Sequence, residues 1–218
     1  MGEPAAWFRV EGVLVGRPAT VAAAWLAANA QKLEERAVRL GAVALAAPWA
    51  LGLGDATTGL RLAYAALRGT SDDRLRVLGE EYAHTWLIPN LRPAGVDLVE
   101  QARRDGLAIV LVSDHLAEIV APLAAHLRAD AVIANQLERN GGRATGRLVD
   151  PVVTRFGGER LRSWADRHGY ALDTSRAYGA TGDDQVLLSA IGLPCAVHPD
   201  RSLRRIARDL DWPVVEGA

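Results

Sequence analysis

Four short segments carry the side chains of this sequence that could do chemistry. They are Arg9 to Glu11, Ser113 to Asp114, Gly157 to Glu159 and Gly179 to Asp184. Carboxylates can hold cations or pass protons, and a serine hydroxyl at the end of a strand can cradle an oxygen of a phosphate group. Three of the segments follow predicted strands, and open parallel sheets bind ligands at the carboxyl ends of their strands. We therefore expect the four segments to line one crevice.

Lysine is almost missing from the chain, which excludes several kinds of site. Lys32 is the one lysine, and the other 24 of the 25 basic residues are arginine. A phosphate-binding loop ending in Gly-Lys-Ser/Thr, a pyridoxal Schiff base and a lysine general base all need an ammonium group in a pocket. Lys32 stands in a long helical pattern, so we expect none of these sites.

The overall charge limits the kinds of binding partner that we expect, and the single cysteine limits the kinds of site and the cellular compartment. With 25 basic and 26 acidic residues the formal net charge is -1, so we expect no binding to nucleic acid. Cys195 is the one cysteine, which excludes an intramolecular disulfide and a cysteine-based zinc cluster. Its apolar neighbours predict a core thiol in a reducing cytoplasm.

No apolar run reaches the roughly 20 residues that a membrane-spanning helix needs. The first residues include Glu3 and Pro4 rather than the basic region and apolar core of a signal peptide. The longest uncharged stretch, Leu40 to Gly54, is broken by Pro48 and three glycines. It favours buried helix and turn, with shallow contact to a membrane or a partner as the alternative. We therefore expect a cytoplasmic protein without a membrane span.

The pattern of apolar residues changes twice along the chain. An apolar run over Ala6 to Val15, turning at Gly12, predicts a first strand. Alanine- and leucine-rich segments with helical spacing follow from Pro18 to about Ile88, and Ser71 is a predicted helix N-cap within them. After this region, helices and strands alternate to the end of the sequence.

The alternating part predicts a parallel sheet. Predicted helices cover 96–104, 115–127, 158–167, 184–191 and 202–210; predicted strands cover 107–113, 131–134, 176–179, 194–197 and 213–215. A hairpin is expected to turn at Asn140 to Gly142 and return over Arg147 to Val153. The strand over 108–112 has no polar face, so helices must cover both of its sides.

These elements together predict an α/β fold. We expect a Rossmann-like, doubly wound parallel sheet built from residues 1–15 and 90–218. An α-helical cap over residues 16–89 is expected as an insert after the first strand.

Several segments resemble the motifs of the haloacid dehalogenase superfamily, in particular its phosphoserine-phosphatase-like branch with a helical cap. Phe8 to Leu14 is similar to the family's Phe-Asp-x-Asp-Gly-Thr-Leu strand end, and Leu111 to His115 resembles Val-Ser-Gly/Ala-Ser. Ala144 to Leu148 looks like the family's flap hairpin, Tyr178 to Asp184 like Tyr-Gly-Asp-Ser-x-x-Asp, and His198 to Leu203 like Asn-Pro-Asp-x-x-Leu. The matches occur in the family's order over nearly the whole chain.

The same resemblance implies a change at the residues that carry the family's activity. In such phosphatases the first aspartate attacks phosphorus beside Mg²⁺, and here Arg9 stands in its place. A guanidinium has no lone pair to offer and stays protonated. Glu11 stands where the second aspartate, the general acid, is found, and its side chain is one methylene longer.

The third and fourth motifs also depart from the family pattern. Gly158 stands at the position of the family's lysine, with Arg155 and Arg160 nearby. In the fourth motif, Ala180 replaces the first metal-side aspartate, while Asp184 is retained and Asp183 is additional. We expect that Mg²⁺ does not bind, and that Arg9 pairs with Asp184 in its place.

The remaining candidates leave alternatives open. Ser113 is expected either to cap a helix or to hold an oxygen of a ligand. Asp114 and His115 fit a solvated loop better than an acid/base pair, because adjacent side chains point apart. His198, at a predicted strand end, is a further candidate ligand-binding residue.

Two functions follow from this sequence. The first is a catalytically degenerate pseudophosphatase that needs no cofactor and binds a small molecule or a protein. Its candidate pocket residues are Arg9, Glu11, Ser113, Asp114, Asp183, Asp184 and His198. The alternative is a phosphomonoester hydrolase that uses Glu11, Ser113 and Asp183 or Asp184 in rearranged roles, with Mg²⁺ as its cofactor.

Overall fold

The structure is a computed structural model that describes residues 2–29, 40–41, 43–44, 55–150 and 157–216. Lys32, Arg155, most of the Leu40 to Gly54 stretch and the expected strand end at Val153 lie outside the described residues.

Six parallel strands form the central sheet. The strands are β1 (Ala5–Arg9), β2 (Ala108–Leu116), β3 (Ala131–Asn135), β6 (Arg176–Gly179), β7 (Leu193–Val197) and β8 (Val214–Val215), and their order is β3-β2-β1-β6-β7-β8. Strands β4 (Leu137–Asn140) and β5 (Arg143–Leu148) form a separate antiparallel hairpin. The chain winds from β1 toward β3 on one side and toward β8 on the other, which is the predicted doubly wound order.

Helices cover both faces of this sheet. The described α-helices are α1 (Ala19–Ala28), α2 (Ala56–Ala65), α3 (Asp72–Tyr82), α4 (Pro93–Arg104), α5 (Ala117–Leu127), α6 (Gly158–His168), α7 (Gln185–Leu188) and α8 (Arg201–Asp209). A π turn (Ala83–Leu87) and a 3-10 turn (Ile88–Asn90) continue α3, and a second 3-10 turn covers Gly182–Asp184. Within the described residues, no helix combines the length and the apolar character needed to cross a bilayer.

The side chains of β1 alternate between two hydrophobic cores. Trp7 packs with residues of α6, α7 and α8 on one face of the sheet. Phe8 packs on the other face with residues of α4 and α5 and of the helices that follow β1, and its ring stacks on Tyr178 at 4.5 Å. Because both faces are buried, the central strands carry apolar residues at nearly every position, as predicted.

The described residues between β1 and α4 that belong to regular elements are helical. Ser71 caps α3, since its Oγ accepts from the backbone N–H of Arg74 at 3.4 Å. A Cβ added to Gly79 of α3 would lie 2.6 Å from the carbonyl oxygen of Glu118, so α3 packs closely against the start of α5. This close packing places Tyr82, the last residue of α3, over the carboxyl end of β2.

The hairpin joins this helical segment to the sheet domain. The backbone N–H of Gly69 donates to Ala144 at 2.8 Å, and that of Ala144 donates to Thr70 at 2.9 Å. The turn at Asn140 to Gly142 is confirmed, but the return strand begins at Arg143 and ends at Leu148, earlier than expected. Gly141 and Gly142 both have positive φ, which allows a tight turn, so the return strand begins directly after them.

Strand β2 is longer than its apolar run predicted. It continues past Ser113 to Leu116, and α5 begins at Ala117 rather than at His115. The N-cap of α5 is Leu116, which makes no side-chain capping bond. The interpretation of Ser113 as a helix cap is therefore wrong.

Candidate ligand site at the carboxyl ends of the strands

The first candidate residues meet where the order of the sheet reverses. Strand β1 pairs with β2 on one side and with β6 on the other, and Arg9 is in register with Val112. Arg9 ends β1, Ser113 follows Val112 on β2, and Asp184 follows β6 after a short turn. Three of the four predicted segments thus come together at the switch point of the sheet.

Arg9 is the centre of a buried ion-pair network. Its Nε lies 2.7 Å from Asp184 Oδ1, and its Nη2 lies 2.6 Å from Asp114 Oδ2 and 3.4 Å from Glu11 Oε2. Arg9 is only 6% exposed. The pairing of Arg9 with Asp184 that the sequence predicted is present, and two further carboxylates join it.

Asp184 is held from both sides. Its Oδ2 accepts from the backbone N–H groups of Ala180 at 2.8 Å and Thr181 at 2.9 Å, while its Oδ1 faces Arg9. Thr181 and Asp184 also form a capping box around the 3-10 turn. Both oxygens of this buried carboxylate therefore have protein partners.

One carboxylate oxygen of Glu11 contacts several polar groups at the end of β2. Its Oε1 accepts from Ser113 Oγ at 2.7 Å and from the backbone N–H groups of Asp114 at 2.9 Å and His115 at 3.2 Å. His115 Nδ1 lies 2.6 Å from the same oxygen. Ser113 is thus tied to Glu11 instead of to a helix terminus.

The charges of this network change the pKa values of its members in different directions. Burial alone would raise the pKa of Glu11, but Arg9 and the bonds from His115 and Ser113 lower it to about 2. Burial raises the pKa of Asp114 to about 6, with Glu11 adding to the rise and Arg9 opposing it. Burial would lower the pKa of Arg9, but the three surrounding carboxylates raise it above its usual range.

His115 is buried, Asp114 is half-buried and both belong to strand β2, so their interpretation as a solvated loop is wrong. The two side chains do point apart, as expected, but each has a partner within the site. Asp114 reaches Arg9, and His115 reaches Glu11. His115 is 0% exposed, and its Nε2 has no hydrogen-bond partner. The extension of β2 beyond Ser113 buries His115 and partly buries Asp114. The apolar Leu116 after them was the signal in the sequence that could have predicted this extension.

The helical insert closes over this end of the sheet. Tyr64 of α2 donates its hydroxyl to the backbone carbonyl of Asp114 at 3.3 Å. The ring of Tyr82 lies 6.2 Å from that of His115, measured between centroids. Tyrosines of the insert thus contact the residues that follow Ser113, a contact that no sequence spacing predicted.

The other candidates are not bonded to Arg9, although its charge reaches Asp183. Asp183 is half-buried, and burial followed by the charge of Asp184 raises its pKa. His198 has a φ of 44° and donates its backbone N–H to Val215. Gly158 and Arg160 at the start of α6 are exposed. Over the described ranges, no hydrogen bond or ion pair joins these four residues to Arg9.

The residues present do not fit a magnesium ion. Asp184 and Asp114 already face the guanidinium of Arg9, which has no lone pair to give a metal. At about 4 Å and an effective dielectric of about 20, a divalent ion and this guanidinium would repel each other by about 8 kcal/mol. Among the residues that the structure describes, no group of three or more His, Cys, Asp or Glu side chains could hold a metal ion.

The comparisons with known proteins agree on one protein family. The model of haloacid dehalogenase-like hydrolases matches residues 14–188. This match begins five residues after Arg9, so it does not rest on the first motif. A protein of Streptomyces azureus named for inhibition of morphological differentiation is 31% identical over 153 residues, which are 70% of this chain and 55% of that protein.

Two further comparisons extend the likeness. A phosphoserine phosphatase of Mycobacterium tuberculosis is 29% identical over 161 residues, which are 73% of this chain and 52% of that protein. A solved structure from Bordetella pertussis Tohama I, of unknown function, is 26% identical, has a TM-score of 0.82 and matches 99% of both chains. The chain spans about half the length of the first curated relatives it matches.

Proposed function

Since this chain belongs to the haloacid dehalogenase-like hydrolase family, we propose that it is a catalytically degenerate member that binds a ligand between its strand ends and its helical insert. The observation that carries the proposal is Arg9, whose guanidinium faces Glu11, Asp114 and Asp184. A small molecule or a protein segment is the expected ligand, and no metal cofactor is part of the proposal.

The chemistry of Arg9 supports the loss of covalent catalysis. Formation of an aspartyl-phosphate needs an ionised carboxylate at the end of β1. The guanidinium there is protonated and bound to carboxylates, so it can neither attack phosphorus nor accept a proton. Asp114 and Asp184 are engaged by Arg9, which leaves them poorly placed to act as nucleophiles.

Glu11 is equally poorly suited to protonate a leaving group. A general acid must carry its proton near the working pH. The pKa of Glu11 is lowered to about 2, and its Oε1 accepts hydrogen bonds instead of donating one. Glu11 therefore acts as the anchor for Ser113 and His115.

The organisation of the chain fits a binding role. We assign residues 1–15 and 90–218 to the sheet domain and 16–89 to the helical cap, with the site between them. The single cysteine, Cys195, keeps a reducing cytoplasm as the expected location.

The second candidate is a phosphomonoester hydrolase, and the named relatives support it. One relative is a phosphoserine phosphatase, and another, 27% identical over 164 residues, is a histidinol-phosphatase of Neisseria meningitidis. In this chain the hydroxyl of Ser113 lies 2.7 Å from Glu11 Oε1 and 3.3 Å from His115 Nδ1. Such a hydrolase would use these side chains with Asp183 or Asp184 in roles that differ from the family mechanism.

A phosphatase assay separates the two candidates. Purified protein is incubated with para-nitrophenyl phosphate and with phosphoserine, with and without Mg²⁺, beside a Glu11→Gln variant that reports contaminating phosphatases. We expect no release of phosphate above the level of Glu11→Gln. A triple variant, Arg9→Asp, Glu11→Asp and Ala180→Asp, restores the family's carboxylates and is the test for regained turnover. Turnover by the unmodified chain that Glu11→Gln abolishes would establish the second candidate instead.

A further inference from the structure

An apolar groove lies at the amino ends of β7 and β8, at the opposite end of the sheet from Arg9. The loop that leads into β7 and the loop that joins α8 to β8 form its two sides. The groove has a volume of about 610 Å³, and its apolar lining includes Leu188, Ile191, Leu193, Leu210, Trp212 and Pro213. We call this surface the β8 groove. The residues that line it are separate from those of the candidate ligand site.

The β8 groove exposes large apolar side chains. Leu193 is 54% exposed and Leu210 is 50% exposed, the two highest values for large apolar residues in the described part of the chain. Val214, which follows Pro213 of the groove, is 40% exposed. A single exposed apolar residue needs no explanation, but a group of them around one groove marks a surface that interacts with another molecule.

The sheet and the helix that covers it both end at this surface. Strand β8 pairs with β7 and is the last strand in the sheet order. Helix α8 packs on the sheet through Leu203 and Ala207, which are fully buried, and it ends at Asp209. The loop after α8 therefore extends beyond the helix, and this leaves Leu210 exposed.

Side chains of both charges border the β8 groove. Arg208 and, one helical turn earlier, Arg205 are exposed on α8, and the exposed carboxylates of Asp209 and Asp211 follow them. Within the described ranges none of these four side chains forms an ion pair, whereas Arg204 of the same helix does. The four charges are therefore available to a partner.

This mixture of charges decides which kind of partner fits. A strongly acidic partner would meet Asp209 and Asp211, and a strongly basic partner would meet the two arginines. Like charges that face each other across an interface weaken binding. A partner with an apolar centre and both charges at its edge avoids this repulsion, and the β8 groove is itself a surface of that kind.

We infer that two copies of this chain associate through their β8 grooves. In a two-fold dimer the same surface of each copy meets itself, so that surface has to be self-complementary. Leu193 and Leu210 of each copy cover the groove of the other, and the arginines of one copy face the aspartates of the other. The contact does not involve the candidate ligand site, so this inference and the proposed function can fail independently.

Sedimentation velocity of the full chain over a wide range of concentrations tests this inference. We expect a species with twice the 23.3 kDa mass of the monomer, which dissociates on dilution. A monomer at every concentration overturns the inference, whether or not the β8 groove binds some other protein. Assemblies larger than a dimer also overturn it, since a two-fold contact closes on itself.

Single substitutions then show whether the dimer uses this surface. Leu193→Asp and Leu210→Asp each place a carboxylate in the apolar contact and should weaken association by about tenfold or more. Val77→Asp, at a side chain that is 44% exposed on α3, is the matched control and should leave association unchanged. All three side chains are exposed in the monomer, so the variants should fold, which far-ultraviolet circular dichroism checks. A dimer that persists unchanged in both leucine variants overturns the assignment.

The substitution Arg208→Glu tests the arrangement of charges in the dimer. It should weaken association by several-fold, because it places a carboxylate opposite Asp209 and Asp211 of the other copy. Arg76→Glu makes the same change of charge at an exposed position of α3 and is the control. Equal association of these two variants would contradict the two-fold arrangement.

Discussion

Arg9 Nε lies 2.7 Å from Asp184 Oδ1, so the last residue of β1 is joined to the turn after β6 by a buried ion pair. A family that works with a carboxylate and a metal ion at this point has here a protein cation instead. The cation is covalently part of the chain, so it offsets part of the negative charge around it without any added ion. The consequences are measurable in stability, in pH dependence and in ligand binding.

Removing the guanidinium should destabilise the protein strongly. Arg9→Met leaves the buried carboxylate of Asp184 and the half-buried one of Asp114 without their cation, and breaking a buried pair typically costs about 3–5 kcal/mol. Urea denaturation, followed by far-ultraviolet circular dichroism, measures the change in the free energy of unfolding. Arg61→Met is the control, because its ion pair with Asp150 is exposed and contributes at most about 1 kcal/mol. Equal losses in the two variants would mean that the Arg9 network does not stabilise the fold.

The raised pKa of Asp114 predicts a specific pH dependence. Because its pKa rises from 3.8 to about 6 on folding, the folded state holds this proton more tightly than the unfolded state. Its contribution to the free energy of unfolding therefore falls as the pH rises from about 4 to about 6. Asp114→Asn should remove that slope, which urea midpoints measured at several pH values would reveal. An unchanged slope in the variant would assign it to other groups.

The lowered pKa of Glu11 predicts a pH dependence of stability with the opposite sign, in a lower pH range. Its pKa falls from 4.5 to about 2 on folding, so its stabilising contribution is complete above 4.5 and is lost as the pH falls toward 2. Glu11→Gln should lose this stabilisation at neutral pH and show a flatter acid limb. Acid titration of both proteins by circular dichroism makes the comparison. Parallel acid limbs would contradict the role of Glu11 as an ionised anchor.

The hydroxyl of Tyr82 should contribute nothing to the stability of the fold. It is buried without a partner, so Tyr82→Phe removes an unsatisfied group and should leave the melting temperature unchanged or raise it. Differential scanning calorimetry of the variant and the unmodified chain, both without ligand, measures the two melting temperatures. A clear fall in the melting temperature would indicate that the hydroxyl has a partner in the folded protein.

The close contact of α3 with α5 depends on glycine at position 79, which has no side chain. A Cβ there would lie 2.6 Å from the Glu118 carbonyl, so Gly79→Ala should force the helices apart and cost about 1–3 kcal/mol. Gly41→Ala is the control, since a Cβ at Gly41 meets nothing within 4 Å. Urea denaturation midpoints of the two variants test this prediction. Equal midpoints for Gly79→Ala and Gly41→Ala would contradict close packing of α3 on the sheet domain.

The sequence predicted the sheet well because its strands are buried on both faces. The apolar run before Ser113 and the strand over Arg176 to Gly179 needed no tertiary information. Ser71 was predicted as an N-cap because its hydroxyl satisfies a backbone donor of its own helix. The pairing of Arg9 with Asp184 was predicted from the family resemblance, which places Arg9 at the position of a nucleophile and Asp184 at that of a retained carboxylate.

The remaining features depend on contacts between distant segments. Four polar groups converge on Glu11 Oε1 only because β1 and β2 are neighbours and β2 continues beyond its apolar run. That convergence buries His115, which was expected in a solvated loop because adjacent side chains point apart. The stacking of Arg17 on Trp86 joins two residues 69 positions apart through a π turn that no propensity predicted.

The most direct test of the account is whether a divalent metal enters the Arg9 network. Crystals grown with Mn²⁺ in place of Mg²⁺ would reveal a bound ion by its anomalous scattering. We predict no anomalous peak between Arg9, Asp114 and Asp184, with the guanidinium in contact with both carboxylates. A Mn²⁺ peak coordinated by Asp184, with Arg9 turned away from it, would contradict the account.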